Sequence, residues 1–317
     1  MCEVTVVIPN YNGKKYLVPC LKALYEASSI DMNVIVVDNG SEDQSIADAR
    51  KSYPQPRYIL LDKNYGFCRA VNEGIKASET EYVILLNNDT EVQDGFVENL
   101  LRLIKRSPKI FSVEAKMLQY HDHNLIDSAG TFYNALGWAF ARGKDGSAQR
   151  YNRRGRTFAA CGGAAIYRRK VFEEIGYFDE THFAYLEDVD IGYRARIFGY
   201  HNLYEPKAQV IHVGSAVSGS RYNEFKTRYS ARNNIYLIYK NMPVPQIILN
   251  LPVFIAGFFI KALFFWKKGL GRIYLKSLKD GFAICDSSKK TGYDRKHFRN
   301  YIEIQLELWI NLLRRFL

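Results

Sequence analysis

The chain has 317 residues, 47% of them hydrophobic, enough for one large domain with an appendage or for two modest domains, and too apolar for a disordered chain. Its formal net charge of +11 is unevenly spread: residues 1–203 carry 25 Lys and Arg against 26 Asp and Glu, and residues 204–317 carry 19 against 7. The excess positive charge therefore points to an anionic partner of the last third, a membrane surface or an acidic ligand, and argues against a nucleic-acid groove through the fold.

In chain order, short β-branched apolar runs at 4–9, 34–38, 58–62 and 82–87 predict strands, and helical patterns at 16–27, 45–52, 68–77 and 96–105 lie between them. Continuous apolar runs of this length suit strands buried on both faces, so the alternation predicts βαβ units and a parallel sheet. Each run ends in polar residues: Asn10 and Asn12, Asp38 and Asn39, Asp62 and Asn64, then Asn87, Asn88 and Asp89. Such a sheet gathers these at its carboxyl edge, where open α/β sheets bind ligands; taken singly, each is equally an ordinary turn residue. Residues 142–156 read as a long mobile loop, a candidate lid. An apolar, glycine-containing run at 158–167, helices at 171–175 and 187–198 and a strand at 209–213 follow.

After Ser215 the character changes. A Tyr- and Arg-rich helix is predicted over 222–240, broken by Pro243 and Pro245. Residues 247–266 are apolar except for Asn250 and Lys261 and end in Trp266-Lys267-Lys268. The stretch just reaches the ~20 residues of a spanning helix. Pro252, Gly257 and Lys261 fit an interfacial helix better; spanning, or burial in a soluble oligomer, are the alternatives. Cys2, Cys20, Cys68, Cys161 and Cys285 show no CxxC or Cys/His spacing and read as free thiols of a reducing compartment. No signal peptide is read at the N-terminus, so the catalytic part is expected in the cytosol.

VVIPNYNG at 6–13 followed by VVDNGSED at 36–43 resembles the opening of family 2 glycosyltransferases of GT-A fold. NYGFCRAVNEGI at 64–75, LLNNDT at 85–90, AACGGAAIYRR at 159–169 and LEDVDIGYRARIFGY at 186–200 are similar to that family's further motifs, and His212 occupies its late histidine position. The resemblance covers about residues 3–240. The LLNND and EDVD forms and the YSARNN helix look closest to bacterial rhamnosyltransferase-like enzymes of surface-polysaccharide assembly.

The chemistry agrees with the resemblance. Expelling a nucleoside diphosphate develops negative charge that a divalent cation neutralises. Mg²⁺ is held by one or two carboxylates plus substrate phosphates, and Mn²⁺ accepts an imidazole more readily. Asp89 can supply the carboxylate and His212 a second ligand, since Asn87 replaces the first acid of a full DxD; a hydrogen-bonded histidine at a strand end is the alternative for His212. By resemblance, Asp38 accepts the imide N–H of uracil or thymine, and Pro9, Tyr11 and Asn12 line base and ribose. Asn88 bonds ribose or donor sugar, and Gly162 and Gly163 let the backbone approach that sugar. Arg69 stands one turn into the helix opened by Asn64 and Gly66, where a phosphate meets a guanidinium and a helix N-terminus; an ordinary surface arginine is the alternative. Glu187, Asp188 and Asp190 open a helix whose dipole they would complement in any case. An inverting transfer needs a base on the acceptor hydroxyl. The resemblance gives Asp188 that role, with Glu187 orienting the acceptor and Asp190 structural. Trp138 offers a face to an acceptor sugar or packs in core or lid.

The expectation is an α/β GT-A catalytic domain at 1–220 and a helical, basic, membrane-associating region at 221–317. Such a chain transfers a sugar, rhamnose from dTDP-rhamnose or a UDP-sugar, to a lipid-linked or polysaccharide acceptor at the inner face of the cell membrane. The rival reading is a non-catalytic sugar-nucleotide-binding scaffold subunit, favoured slightly by the incomplete DxD and opposed by the intact EDVD segment.

Overall fold

The computed structural model describes residues 2–214 and 222–315, so the expected boundary at residues 220/221 lies outside the described residues. The first half runs β1 Val4–Asn10, α1 Leu17–Glu26, β2 Asn33–Asp38, α2 Ser45–Ser52, β3 Arg57–Leu60, α3 Phe67–Ala77, β4 Tyr82–Leu86, β5 Thr90–Val92 and α4 Phe96–Ile104. It continues with β6 Ile110–Gln119, β7 Ile126–Ser128, β8 Thr131–Tyr133, β9 Ala139–Ala141, β10 Gly155–Thr157, β11 Ala164–Arg168, α5 Arg169–Ile175, α6 Glu187–Ile197 and β12 His201–His212. Four helices close the chain: α7 Glu224–Asn241, α8 Val244–Lys267, α9 Gly271–Ala283 and α10 Phe298–Arg314.

The main sheet has the order β10-β12-β6-β11-β4-β1-β2-β3. Strands β3, β2, β1 and β4 are parallel, β11 runs against both β4 and β6, and β12 lies parallel to β6. Successive side chains of a strand face opposite ways. Val4, Val6 and Ile8 of β1 therefore join Leu17, Leu21 and Leu100 in one core, while Val7 joins Val71, Ile75 and Phe172 on the other face. Burial on both faces is why these strands lack polar alternation and show in the sequence as unbroken apolar runs.

Beyond β4 the structure departs from expectation. The strand predicted at 209–213 is the end of the 12-residue β12, whose polar start is satisfied internally: Ser112 Oγ donates to Asn202 Oδ1 (2.7 Å) and Asn202 Nδ2 to the Phe158 carbonyl (2.7 Å). The segment predicted as a mobile loop at 142–156 is tied down. Arg142 Nε donates to the Ala129 carbonyl (2.8 Å), and Lys116 Nζ reaches the Ala148 carbonyl (2.7 Å) and Asn152 Oδ1 (2.8 Å). With a short 3₁₀ turn at Ala148–Arg150 between β9 and β10, it is a packed connection and not a free lid.

The C-terminal helices share a core with the sheet domain. Tyr133, Phe158, Val189 and Tyr193 pack with Leu237, Met242, Phe254, Tyr301, Ile304 and Leu308. Lys240 Nζ and Asn241 Nδ2 of α7 also donate to Asp190 at the head of α6 (3.0 and 2.7 Å). Helix α8 continues through Pro252; the ring leaves the Ile248 carbonyl without its helical donor, on a face that is open to solvent. Gly257 lets α8 approach the Trp138 loop, since a Cβ there would lie 2.1 Å from the Leu136 carbonyl oxygen. Asn250 is buried and donates to the Gln246 carbonyl and Gln305 Oε1, which accounts for a polar residue inside an apolar helix. By length and composition α8 is long and apolar enough to cross a membrane, yet only 17% of its apolar window is buried.

Candidate active site

At the carboxyl edge of the parallel strands lies a cleft of about 440 Å³. Pro9, Tyr11, Asn64, Gly66, Asn88, Asp89, Gly163 and His212 line it together with Glu187 and Asp188, so most of the candidate residues converge. The polar strand ends form one hydrogen-bonded row. Asn88 Nδ2 donates to Asn10 Oδ1 (2.7 Å), and Asn10 Nδ2 donates to Asp38 Oδ1 (2.9 Å) and Ser45 Oγ (2.9 Å). Asn64 Oδ1 accepts from Asn39 Nδ2 and from the Gly66 backbone N–H (both 2.9 Å), which braces the entry to α3. Gly66 has φ +88°, and a Cβ there would stand 2.6 Å from the Phe183 carbonyl oxygen; both facts require glycine.

Asp89 and His212 meet at this edge, with His212 Nε2 3.4 Å from Asp89 Oδ1. Its Nδ1 is 2.9 Å from Asp127 Oδ2, and Asp127 also pairs with Lys144. Burial alone would depress the His212 pKa; hydrogen bonds to Asp127 and Asp89 outweigh it and raise it to about 9. A carboxylate behind an imidazole, fixing its ring so that the other nitrogen faces a second acid, is the arrangement found behind metal-binding histidines. Among the described residues no three His, Cys, Asp or Glu side chains form a ready-made metal site, so a cation here would draw its remaining ligands from a bound diphosphate.

The facing wall carries the acids. Leu186 (φ 68°) turns the chain into α6, and Tyr185 (φ 69°) and Phe183 (φ 62°) precede it. Non-glycine residues in this region cost about 1–3 kcal/mol each and persist only where the surroundings enforce them. Asn233 of α7 does so: its Nδ2 lies 2.9, 2.8 and 2.7 Å from the carbonyls of His182, Ala184 and Tyr185. The Gly162 N–H donates to Asp188 Oδ1 (2.9 Å). Burial first, and then the charge of Glu187, raise the Asp188 pKa well above the carboxylate range. Glu187 rises to about 7, through burial, with its own backbone N–H opposing and the Asp190 charge adding. Adjacent acids lifted in this way supply a group basic enough to take a hydroxyl proton near neutral pH. Asp190 is fully buried between Arg194, Lys240 and Asn241 and is structural.

Gly162 is not among the lining residues, and neither are Arg69, Trp138, Asn12 and Asp38. Arg69 is about two-fifths exposed on α3 and pairs with Glu73 (2.9 Å) and Glu180 (3.4 Å). Trp138 donates its Nε1 to the Gly257 carbonyl (3.1 Å) and packs on α8, away from the acceptor wall. Asn12 caps the neighbouring loop, its Oδ1 accepting from the Glu42 N–H (2.9 Å). Asp38 is buried behind Asn10 and also accepts from the Ser41 N–H (3.1 Å). Conversely, Asp127, Asn233 and Glu114 escaped sequence reasoning. Glu114 is fully buried in β6 and accepts from the Thr131 and Cys161 N–H groups (3.0 and 3.1 Å), which fixes the turn carrying Gly162. Only Asn233 left a sequence signal, the paired asparagines of YSARNN. A larger hollow of about 720 Å³ opens at the opposite, amino-terminal edge of the sheet. Its one carboxylate, Glu303, is held by Arg299 (3.2 Å), and its one imidazole, His201, stands among Arg156, Arg196 and Lys109 with no acid pair beside it.

A mixed sheet with a parallel half, whose carboxyl edge brings Asp89 and His212 into one cleft with the buried Asp188, is the arrangement that the GT-A resemblance implies. The sequence profile of glycosyl transferase family 2 matches residues 5–176, over half of the chain, and the protein belongs to that family. A curated relative, N-acetylglucosaminyl-diphospho-decaprenol L-rhamnosyltransferase of Mycobacterium tuberculosis, is 29% identical over 230 residues, 65% of this chain and 75% of its own. Among solved structures, residues 1–349 of Staphylococcus aureus TarS superpose with a TM-score of 0.59 at 17% identity, covering 99% of this chain and 85% of that one. Mannosyltransferase PcManGT of Pyrobaculum calidifontis, in complex with GDP-Man and Mn²⁺, gives 0.54 at 15% identity, covering 96% and 87%. The fold is GT-A, and the protein is a glycosyltransferase.

Proposed function

We propose that the protein is an inverting transferase that moves a sugar from a nucleoside diphosphate to a lipid-linked or growing polysaccharide acceptor of the cell surface, working at the cytoplasmic face of the membrane. Rhamnose from dTDP-rhamnose is the donor this reading favours, on the likeness to the mycobacterial rhamnosyltransferase. The observation that carries the reading is the single cleft in which Asp89 and His212 share space with Asp188. Pro9 and Tyr11 take the base and ribose, with Asp38 and Asn12 holding that loop from behind. Asn88, Asn64, Gly66 and Gly163 surround the rest of the donor. Asp89 and His212 hold a divalent cation, Mn²⁺ or Mg²⁺, which neutralises charge on the departing diphosphate. Asp188 removes the acceptor proton while Glu187 orients the acceptor. Residues 1–220 form the catalytic unit, and the helices of 221–317 lay the exposed face of α8 on the membrane. The Gly162 bond to Asp188 favours catalysis over a scaffold role, because it aims a carboxylate that a scaffold does not need.

A panel of UDP- and dTDP-sugars with Mn²⁺ or Mg²⁺, scored by released nucleoside diphosphate, tests the donor and the metal together. Asp188→Asn is expected to lower transfer by about 10³-fold while nucleotide binding is kept. Near-normal turnover in that variant would remove Asp188 from the chemistry.

A further inference from the structure

Between the carboxyl-terminal end of α8 and the acids of α6 lies a ledge of aromatic rings. Phe183 stacks on Tyr229 (centroids 5.2 Å apart), Phe225 meets Tyr229 (4.7 Å), and Tyr185 and Phe183 lie 6.0 and 6.4 Å from Phe225. Phe183, Tyr185 and Phe225 line the same cleft as Asp188, and Phe225 is 40% exposed, so among the described residues this ring keeps an open face. The two loop rings are presented from left-handed backbone that Asn233 of α7 enforces, and both stay partly exposed. The ledge continues outward. Tyr222 meets Phe264 (5.2 Å), and Phe264 with Trp266 ends the exposed face of α8. Cations border it: Lys226 lines the cleft, and Lys268 Nζ stands 5.8 Å from the Tyr222 ring.

A sugar ring can stack on one aromatic face, but four clustered rings running on toward the apolar face of α8 exceed what one sugar covers. Rings bordered by lysines match an amphipathic ligand with an apolar chain and an anionic head. We propose that the ledge is the acceptor's lipid subsite: the first isoprene units of a polyprenyl diphosphate lie across Phe183, Tyr185, Phe225 and Tyr229, its diphosphate meets Lys226, and its sugar reaches Asp188. The inference rests on the lipid-linked acceptor proposed above and adds where that lipid enters. Continuity with the α8 face selects a membrane lipid over a peptide as the occupant.

The test uses the full chain with saturating nucleoside diphosphate and Mn²⁺, so that the donor half is filled, and titrates decaprenyl diphosphate in detergent micelles against inorganic pyrophosphate. Decaprenyl diphosphate is expected to bind the unaltered protein more tightly than pyrophosphate. Phe225→Ala should raise its Kd about tenfold and Phe225→Leu less, with nucleoside diphosphate affinity and vesicle binding unchanged. Phe225 is solvent-exposed, so both variants should fold, and thermal melts check this. Equal affinity in Phe225→Ala, or pyrophosphate binding as tightly as the lipid, overturns the ledge alone if vesicle binding persists. An unaltered chain that binds neither vesicles nor decaprenyl diphosphate overturns the membrane reading along with it.

Discussion

Glu187 and Asp188 are neighbours in sequence and in charge, and each raises the cost of ionising the other. If Asp188 is the base, it works only when deprotonated, so its raised pKa sets the acid limb of activity. Glu187→Gln removes one negative charge beside it and should move the acid limb of the kcat/KM profile to lower pH, by about one unit for a like charge at this range. The position of the limb is the readout, because its height also reflects acceptor binding. A limb that stays in place would detach Glu187 from the base. The same substitution has a stability consequence. Glu187 has a folded pKa of about 7 against an ordinary 4.5, so its contribution to stability is complete below 4.5 and is lost as the pH rises through 7. The glutamine variant should therefore show a flatter fall in denaturation free energy between pH 5 and 8. Asp188 was legible because its motif is contiguous in the chain. Asp127 was not, because it matters only through His212, 85 residues away.

At the scale of elements, what showed in the sequence depended on what each strand faces. Strands β1, β2 and β4 bury apolar side chains on both faces and announce themselves as runs. Strand β6 buries Ser112, Glu114 and Lys116, and β12 buries Asn202 and Glu205. These polar residues are tolerated because each has a partner from another element, and a partner distant in sequence leaves no local pattern. The acceptor wall obeys the same logic, since the left-handed backbone at Phe183, Tyr185 and Leu186 is enforced from α7 by Asn233. Asn233→Ala takes the donor from the Ala184 and Tyr185 carbonyls, that of His182 keeping Arg232, and should cost about 2 kcal/mol of stability. Its diagnostic effect is on the acceptor side: transfer should fall about 10- to 100-fold through misplaced acids, with nucleoside diphosphate Kd within twofold, because the proposed donor residues Pro9, Tyr11, Asn88 and Asp89 are carried by the ends of β1 and β4. Equal loss on both sides would mean general unfolding and not a positioning role.

At the scale of the molecule, the shared core of sheet and C-terminal helices changes how membrane attachment should be tested. Deleting residues 247–317 would strip Phe254, Tyr301, Ile304 and Leu308 from Tyr133, Phe158 and Tyr193, so loss of membrane binding could follow from collapse alone. Helix α10, which no sequence motif announced, contributes most of that cover and leaves Ile302, Leu306, Trp309 and Ile310 exposed on its other side. Surface substitution separates the causes. Ile255, Phe259 and Leu263 of α8 are 61%, 62% and 50% exposed, so replacing all three by Glu removes apolar contact with lipid without opening the core. The triple variant should keep its melting temperature within about 3 °C and lose sedimentation with anionic vesicles. The unaltered protein should bind such vesicles less at high salt, since Lys267, Lys268, Arg272, Lys276 and Lys279 flank the apolar face and their attraction to anionic lipid is screened. Vesicle binding that survives the three glutamates while still falling with salt would place attachment in the basic flank alone; binding indifferent to both would take the membrane out of this protein's function.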